Sequence, residues 1–559
     1  MHSGLTPLKS GISLVKSIFD SYCQRRNRTQ IRQMMRGYRI LRSSNRLDLL
    51  VNLKEDLTNL PLSSSPSYQK LFFFGAAHTV AELSTKQFLF QRLIGIAFNK
   101  ELLRALTRPG LEIYYPLPPE WRLVMEKYGF KTTTISNQIR WFGYKILFIG
   151  YGFVTVASIV ASGIKGLFSP PSAARLNSAY FHGLTNKNLP NPTIEEESHD
   201  IISWYSKWID RPPALQAVFH SVRNSEKSQL RGVQINYVPF AVPSLHTIEQ
   251  ILRLILWSLR SFTICLKDLL SSSYWYVILW GEAARAVQTR LQDANALWND
   301  YLFHNSWYLY RPLWTFEAEK KGSRILFYFY SANCESFKTK QGYPVQANSW
   351  QLMTWSNFLV WDAFQADFVR RAVGSRCNIF TVGPIWFQSD NKEIPDLPVN
   401  SIAVFDIQPH RDSRYQSLGL ENDFFTPETM NKFLLDVYDV AKANNFTMVL
   451  KRKRNIGKLV NSKYQILIDR LAKSPNFVTI DSDISAFRLI EKTSVVISIP
   501  FTSTAIIAKE MGKVSIYYDP TGEIQKDDRA AHGIPVISGI SELSNWFHNY
   551  YSLHKKSIQ

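Results

Sequence analysis

Cysteine is scarce in this chain. Its 559 residues hold four, Cys23, Cys265, Cys334 and Cys377. They lie far apart and form no pair motif, which excludes a disulfide scaffold and fits isolated, reduced thiols in a cytosolic protein. Charge is also thin. Charged residues make up 20% and aromatics 14%, a balance that excludes a disordered chain. Acid is the scarcer sign: 45 Asp and Glu stand against 65 Lys and Arg, a net charge of +20. That excess calls for an acidic partner: nucleic acid, anionic lipid headgroups, or sugar nucleotides and glycan acids. Zinc-finger spacing, an RNA-binding signature and an arginine-rich tail are all missing, so nucleic acid is not expected. A secretory leader is not visible either, because His2–Phe19 lacks a sustained apolar core and a clear cleavage site.

What is there begins with a basic segment. Residues 1–46 carry ten Lys and Arg against one acid, Asp20. Ile12, Leu14, Val15, Ile18 and Phe19 set an apolar stripe for a helix that lies on anionic lipid or packs on the body. A Pro- and Ser-rich linker follows at Leu60–Ser67. Lys70–Phe74 reads as a strand, Gly75–Thr79 as a turn, and Glu112–Tyr115 as a second strand. His78 stands where strand meets helix, a place for a substrate-contacting residue or a turn histidine. Ile146–Ile164 is then uncharged for 19 residues, between Lys145 and Lys165, long enough for a membrane segment. A single crossing would separate the strand near residue 70 from the one near 325. A shallow or re-entrant attachment to the cytoplasmic face is therefore expected. Ile248–Trp280 carries Arg253, Arg260, Lys267 and Asp268, which suits an interfacial helix better than a span. Arg175–Arg311 reads as mainly helical, and Trp350–Phe368 as a helix. Arg324–Tyr330 and Asn378–Val382 read as strands.

Beyond a polar linker at Ser389–Val399, strand and helix alternate. Strands are expected at Ile402–Ile407, Thr447–Leu450 and Phe477–Ile480, with helices at Pro427–Asn444, Ser462–Lys473 and Ile484–Ile490. This pattern implies a parallel sheet with right-handed crossovers. It leads to the most informative stretch, Ser494–Gly522, SVVISIPFTSTAIIAKEMGKVSIYYDPTG. A buried β-branched strand stops at Pro500. Thr502, Ser503 and Thr504 open a helix that Gly512 closes. Unpaired N–H groups and the helix dipole favour an anion there, and three hydroxyls stand beside them. The turn is a phosphate cradle or an ordinary Ser/Thr cap.

SIPFTSTAIIAKEMGKVSIYYDPTG, FDIQP at Phe405–Pro409 and HGIP at His532–Pro535 resemble the signature of the polysaccharide biosynthesis proteins named for their Pro-Phe-Thr-Ser motif. The resemblance covers Ser401–Trp546 well and is looser from Trp314 to Phe387. It implies a GT-B-like C-terminal half; with the strand–helix alternation and the apolar segments above, the expected fold is α/β, two Rossmann-like halves, GT-B-like, with a helical, membrane-associated insertion at about 140–310 in the N-terminal half. The implied domains are a basic helical region at 1–60, an acceptor-side domain at 61–390 and a nucleotide-sugar-binding domain at 391–559. The implied activity is metal-independent transfer of a sugar from a nucleotide-sugar, with a CMP-activated acidic sugar as one option, to a surface polysaccharide or lipid-linked glycan. The rivals are another enzyme of that fold, such as a sugar-nucleotide epimerase, and a non-catalytic glycan-binding protein. Implied partners are the donor, the glycan acceptor and an anionic membrane surface. No cofactor beyond the nucleotide-sugar substrate is implied.

On that reading Thr502, Ser503 and Thr504 hold the donor phosphate. Lys451 and Lys453 end a strand on one side, with Arg452 and Arg454 on the other, and one of these cations neutralises the leaving nucleotide. A His-Pro pair that GT-B sialyltransferases carry near here is missing, which weakens the CMP option. Asp519 takes a ribose hydroxyl or holds its own turn. Asp406 hydrogen-bonds donor or acceptor, or caps its loop. The base that the acceptor hydroxyl needs comes from the N-terminal half, where His78 and Glu335 each follow an expected strand. Asp481-Ser482-Asp483 is a metal-type pair or a helix cap, and no metal is expected.

Overall fold

The structure is a computed structural model. It describes residues 48–60, 78–108, 110–132, 134–168, 177–190, 200–208, 215–223, 228–271, 274–305, 309–332, 334–343, 348–385, 392–409, 423–453, 457 and 460–558, with scattered positions between 33 and 46. The basic stretch at residues 1–30, the strand expected at Lys70–Phe74 and the turn after it to Ala77 lie outside these residues.

The chain divides into two compact units. The first comprises Met1–Leu62, Phe88–Ile146 and Asp412–Asp423. It is helical where described: α1 (Asp48–Asn59), the end of α2 (His78–Leu93), α3 (Ile96–Thr107), α4 (Pro119–Lys127) and the start of α5 (Thr134–Gly166). Leu53, Phe98, Leu102 and Met125 are fully buried in it. The strand expected at Glu112–Tyr115 shrinks to one bridge, Glu112 to Lys131.

The second unit comprises Ser63–Gln87, Leu147–Arg411 and Phe424–Gln559. It holds two sheets. The first is built from β1 (Ser178–Phe181), β2 (Ala217–His220), β3 (Ser228–Leu230), β4 (Val233–Tyr237), β5 (Asp300–His304), β6 (Arg324–Tyr328), β7 (Asn357–Val360) and β8 (Asn378–Thr381). Their order is β3-β4-β2-β1-β5-β6-β7-β8, parallel except for the β3–β4 pair. The second is β9 (Ser401–Phe405), β10 (Thr447–Lys451), β11 (Phe477–Ile480), β12 (Val495–Ser498), β13 (Val514–Asp519) and β14 (Val536–Ser538). Its order is β11-β10-β9-β12-β13-β14, and every pairing is parallel. Central strands such as β9 and β12 are buried at every residue, as strands covered on both faces must be. The fold is thus α/β with two parallel-rich sheets.

Helices flank the sheets: α6 (Ile201–Trp208), α7 (Ile248–Leu270), α8 (Trp275–Leu291), α9 (Trp314–Lys320), α10 (Asn348–Gln351) and α11 (Ala363–Val373) go with the first, α7 by packing on α8. The second has α12 (Pro427–Ala443), α13 (Ser462–Leu471), α14 (Ala486–Glu491), α15 (Ser503–Glu510) and α16 (Gly539–Ile558). Pro427 stands at the first position of α12, and Thr426 caps it by accepting from the Thr429 N–H.

Two sequence expectations are corrected here. The segment read as helical at 140–310 contains β1 to β5. These strands are three to five residues long and rich in aromatics, and short apolar runs do not separate strand from helix by period. The helix read at Trp350–Phe368 is instead α10, then β7, then α11. Asp362 resets the chain there by accepting from the Gln365 N–H as N-cap of α11.

Candidate functional site

In a doubly wound sheet the chain starts inside and winds outward both ways. Loops leaving the two inner strands diverge, and the crevice they leave at the carboxyl ends is where ligands bind. The second sheet has that point between β9 and β12, which are neighbours. The first has it between β1 and β5.

Asp406 follows β9 and Thr502–Thr504 follow β12, so the topology brings these candidates to one crevice. Asp406 is buried. The Tyr464 hydroxyl donates to its Oδ2, and its Oδ1 has no hydrogen-bond partner among the described residues. Burial pushes its pKa up to about 6, against the opposing pull of the Tyr464 hydrogen bond and the Arg452 charge. The cation beside Asp406 is therefore Arg452, between the two lysines. Lys451 is buried and donates to the Ser482 carbonyl at 3.3 Å, whereas Lys453 is exposed. Register puts Lys451 and Ser498 level with Phe405 on either side. Two strand spacings separate them, roughly 10 Å.

The Pro-Phe-Thr-Ser turn is tightly knit. The Pro500–Phe501 peptide is cis. Thr502 is the N-cap residue of α15 yet makes no side-chain cap. Its hydroxyl donates to the Ile499 carbonyl at 3.0 Å and lies 3.2 Å from Thr504 Oγ1, which is 3.0 Å from Ser498 Oγ. Ser503 Oγ accepts from the Ala332 N–H at 3.3 Å. The Tyr517 hydroxyl holds the Thr502 carbonyl at 2.9 Å. The first-turn N–H groups of α15 are thus left without a cap from its N-cap side chain.

Asp519 is fully buried at the end of β13. Its Oδ1 accepts from the Thr521 N–H and hydroxyl at 2.8 and 2.7 Å, and its Oδ2 from the Ile524 N–H at 2.9 Å. That geometry is a turn clamp. Glu335 forms a two-pronged pair with Arg371, 2.5 Å at the shorter contact. Asp481 pairs with Lys392 at 2.6 Å, and Asp483 pairs with Lys187 at 2.9 Å. The helix after them starts at Ala486, with Ser485 at its N-cap. His78 begins α2, and its side chain lies outside the described residues.

Two features escaped the sequence reading. Three adjacent strands each end in Phe-His: Phe181-His182 at β1, Phe219-His220 at β2 and Phe303-His304 at β5. Burial lowers all three imidazoles to about 4, so they are neutral at pH 7. His182 and His304 stand at the first sheet's crevice. His304 Nδ1 and His220 Nε2 have no partner among the described residues. The repeated -Phe-His was the available signal. The second feature is a buried pair, His532 Nδ1 to Asp362 Oδ2 at 2.6 Å. His532 has φ 52° and Gly533 φ 69°. A Cβ on Gly533 would meet Phe364 at 3.1 Å, so glycine is required there.

The loops of the two sheets meet at both ends of this unit. The loop after β1 reaches the one after β11 through Lys187 and Asp483. After β6, Ala332 meets Ser503. After β7, Asp362 meets His532. Strand order then sets the two crevices, with His182 and His304 on one side and Asp406 and Thr502–Thr504 on the other, between these contacts.

The fold is α/β, with a switch point at the carboxyl ends of the strands in each sheet, the place where sheets of this kind take ligands. Residues 257–547, just over half the chain, match the family described as polysaccharide biosynthesis PFTS motif protein. The chain belongs to that family. Among solved structures it is similar to one titled "Crystal Structure of TarM", with 11% identity and a TM-score of 0.29, covering 48% of this chain and 51% of that one. The chain thus spans about half the length of TarM. No curated protein matches.

Proposed function

We propose that this polysaccharide biosynthesis protein is a GT-B-like glycosyltransferase that takes a sugar from a nucleotide-sugar and works at an anionic membrane surface. The observation that carries the reading is the pairing of crevices. A donor bound at the β9/β12 crevice has its phosphates against the start of α15, which the Thr502 side chain does not cap and where the helix dipole favours anions. Arg452 and Lys451 lie within the span of a nucleotide and offset charge on the leaving group. The acceptor enters from the β1/β5 crevice beside neutral His182 and His304.

Asp406 is the preferred base. A carboxylate with pKa near 6 and a free oxygen suits removal of a hydroxyl proton at neutral pH. Glu335, with both oxygens on Arg371, suits that role less.

The rival is a non-catalytic glycan-binding protein, and one contact favours it: Ser503 is already spent on Ala332. Thermal stability against CMP, CDP, UDP, GDP and ADP separates the two. A nucleotide at about 100 times its Kd adds roughly 2.7 kcal/mol. A shift with one nucleotide, lost in Ser503→Ala plus Thr504→Ala, supports the enzyme and names its donor class. The absence of any shift moves the weight to the non-catalytic reading.

A further inference from the structure

A surface helix in water presents polar residues on its outer face. α5 and α7 do not. From Leu147 onward α5 exposes Leu147, Phe153, Val154 and Ile164, with Val154 at 69%. α7 exposes Ile248, Leu252, Leu256, Leu259, Leu266 and Leu270, with Leu259 at 61%. The opposite face of α7 is packed through Ile251, Leu254, Ser258, Ser261 and Cys265. Two apolar faces thus lie on one helix, and only one is covered.

The two helices run antiparallel as one layer. Gly163 of α5 meets Ile251 at the start of α7, and the Phe153 ring packs at a tilt on Phe262 a few turns on, centroids 5.0 Å apart. The inner side of the layer rests on α8. Gly152 abuts Trp280, and Gly281 abuts Tyr151. Behind α8, Arg290 pairs with Glu317 of α9 at 2.7 Å.

Charge sits on one border of this face. At 100° per residue, Ile248, Leu252, Leu256, Leu259, Leu266 and Leu270 fall within one arc of about 80°. Arg253, Arg260 and Lys267, all exposed, fall just beyond it, with Glu249 beside them. An apolar arc with a basic margin is the pattern of a helix lying in the plane of an anionic leaflet.

Crossing is excluded by a contact. Ser84 precedes α5 and Thr354 follows it, and their hydroxyls are 2.6 Å apart. One crossing between them would place them on opposite sides. A return crossing needs a second helix, and among the described residues only α5 is long and apolar enough. α5 is also unbroken from Thr134 to Gly166, so the re-entrant turn expected inside it is absent.

We infer that the bare face of the α5–α7 layer sinks into one leaflet of an anionic bilayer, with Arg253, Arg260 and Lys267 on lipid phosphates. This deepens the surface-bound part of the proposed function and draws on neither donor nor acceptor.

The test is flotation of the full chain with phosphatidylcholine vesicles, with and without phosphatidylglycerol, and no nucleotide present. Wild type floats with both and prefers the anionic ones. Leu256→Gln plus Leu259→Gln, which keeps good helix formers, loses both. Arg253→Gln, Arg260→Gln and Lys267→Gln together lose only the anionic preference, about 100-fold at low salt, roughly fivefold per residue. Circular dichroism melting confirms that each variant is folded, and a second pair, Leu252→Gln plus Leu270→Gln, repeats the loss elsewhere on the face. Wild type that fails to float overturns the inference. So does floating by the leucine variants, or a vesicle-free dimer that they dissolve, which would make a second copy the occupant. Since vesicle binding is read without substrate, failure of the nucleotide panel leaves this result standing, and the reverse holds.

Discussion

Asp406 behaves unlike an ordinary surface carboxylate. It binds its proton more tightly folded, near pH 6, than unfolded, near 3.9. The stability it contributes is full below about pH 4 and is lost as pH rises through 6, a span of about 3 kcal/mol. Asp406→Asn keeps the shape and removes the titration. Its melting temperature should fall less than wild type's between pH 4 and 7, read by calorimetry. If Asp406 takes the acceptor proton, turnover in the variant should drop roughly 10²- to 10⁴-fold, measured once the donor is known. The residue types here were legible. FDIQP marked Asp406, but nothing in the sequence says that Tyr464 reaches it from α13, 58 positions away.

At the scale of elements, the structure gives three glycines of α5 a packing role: Gly152, Gly163 and Gly166, the last against the Leu245 carbonyl. Gly152 lies where an added Cβ would come within 2.3 Å of the Trp280 ring, and Gly163 within 3.1 Å of Ile251. Gly150 meets nothing within 4 Å. Gly152→Val should therefore destabilise by roughly 1–3 kcal/mol through overpacking. Gly150→Val should cost far less, since no neighbour must move. Comparative urea unfolding of the two decides it, and equal losses would point to helix propensity alone. Strands β9 to β12 of the second sheet were legible to within two residues, because helices with marked ends separate them, whereas β14 and α16 were not read. Thr426-Pro427 and Gly512 are such marks. In the first sheet β6 and β8 were legible from Arg324 and Asn378 onward, whereas β1 to β5 were hidden by their shortness and β7 by the aromatics around it.

Across the second unit, the sheet faces meet through contacts of unequal depth. His532 and Asp362 are 3% and 14% exposed, whereas Lys187 and Asp483 are 70% and 52%. His532→Ala should cost about 2 kcal/mol, as loss of a buried bond to a charged group does, read as a shift in the unfolding midpoint. Lys187→Ala should cost under 1 kcal/mol, since exposed pairs contribute little. Equal costs would contradict the burial difference. This asymmetry was beyond the sequence: HGIP gave a motif with no partner, and Asp362 fell inside a stretch read as helix.

A fastening that is deep at one end and shallow at the other sets a direction of swing. The His532–Asp362 end is the hinge pin, and the Lys187–Asp483 end is the clasp. Salt weakens exposed ion pairs far more than buried ones. Raising ionic strength should therefore loosen the clasp and leave the pin, so that the two sheets part first on the β1 and β11 side.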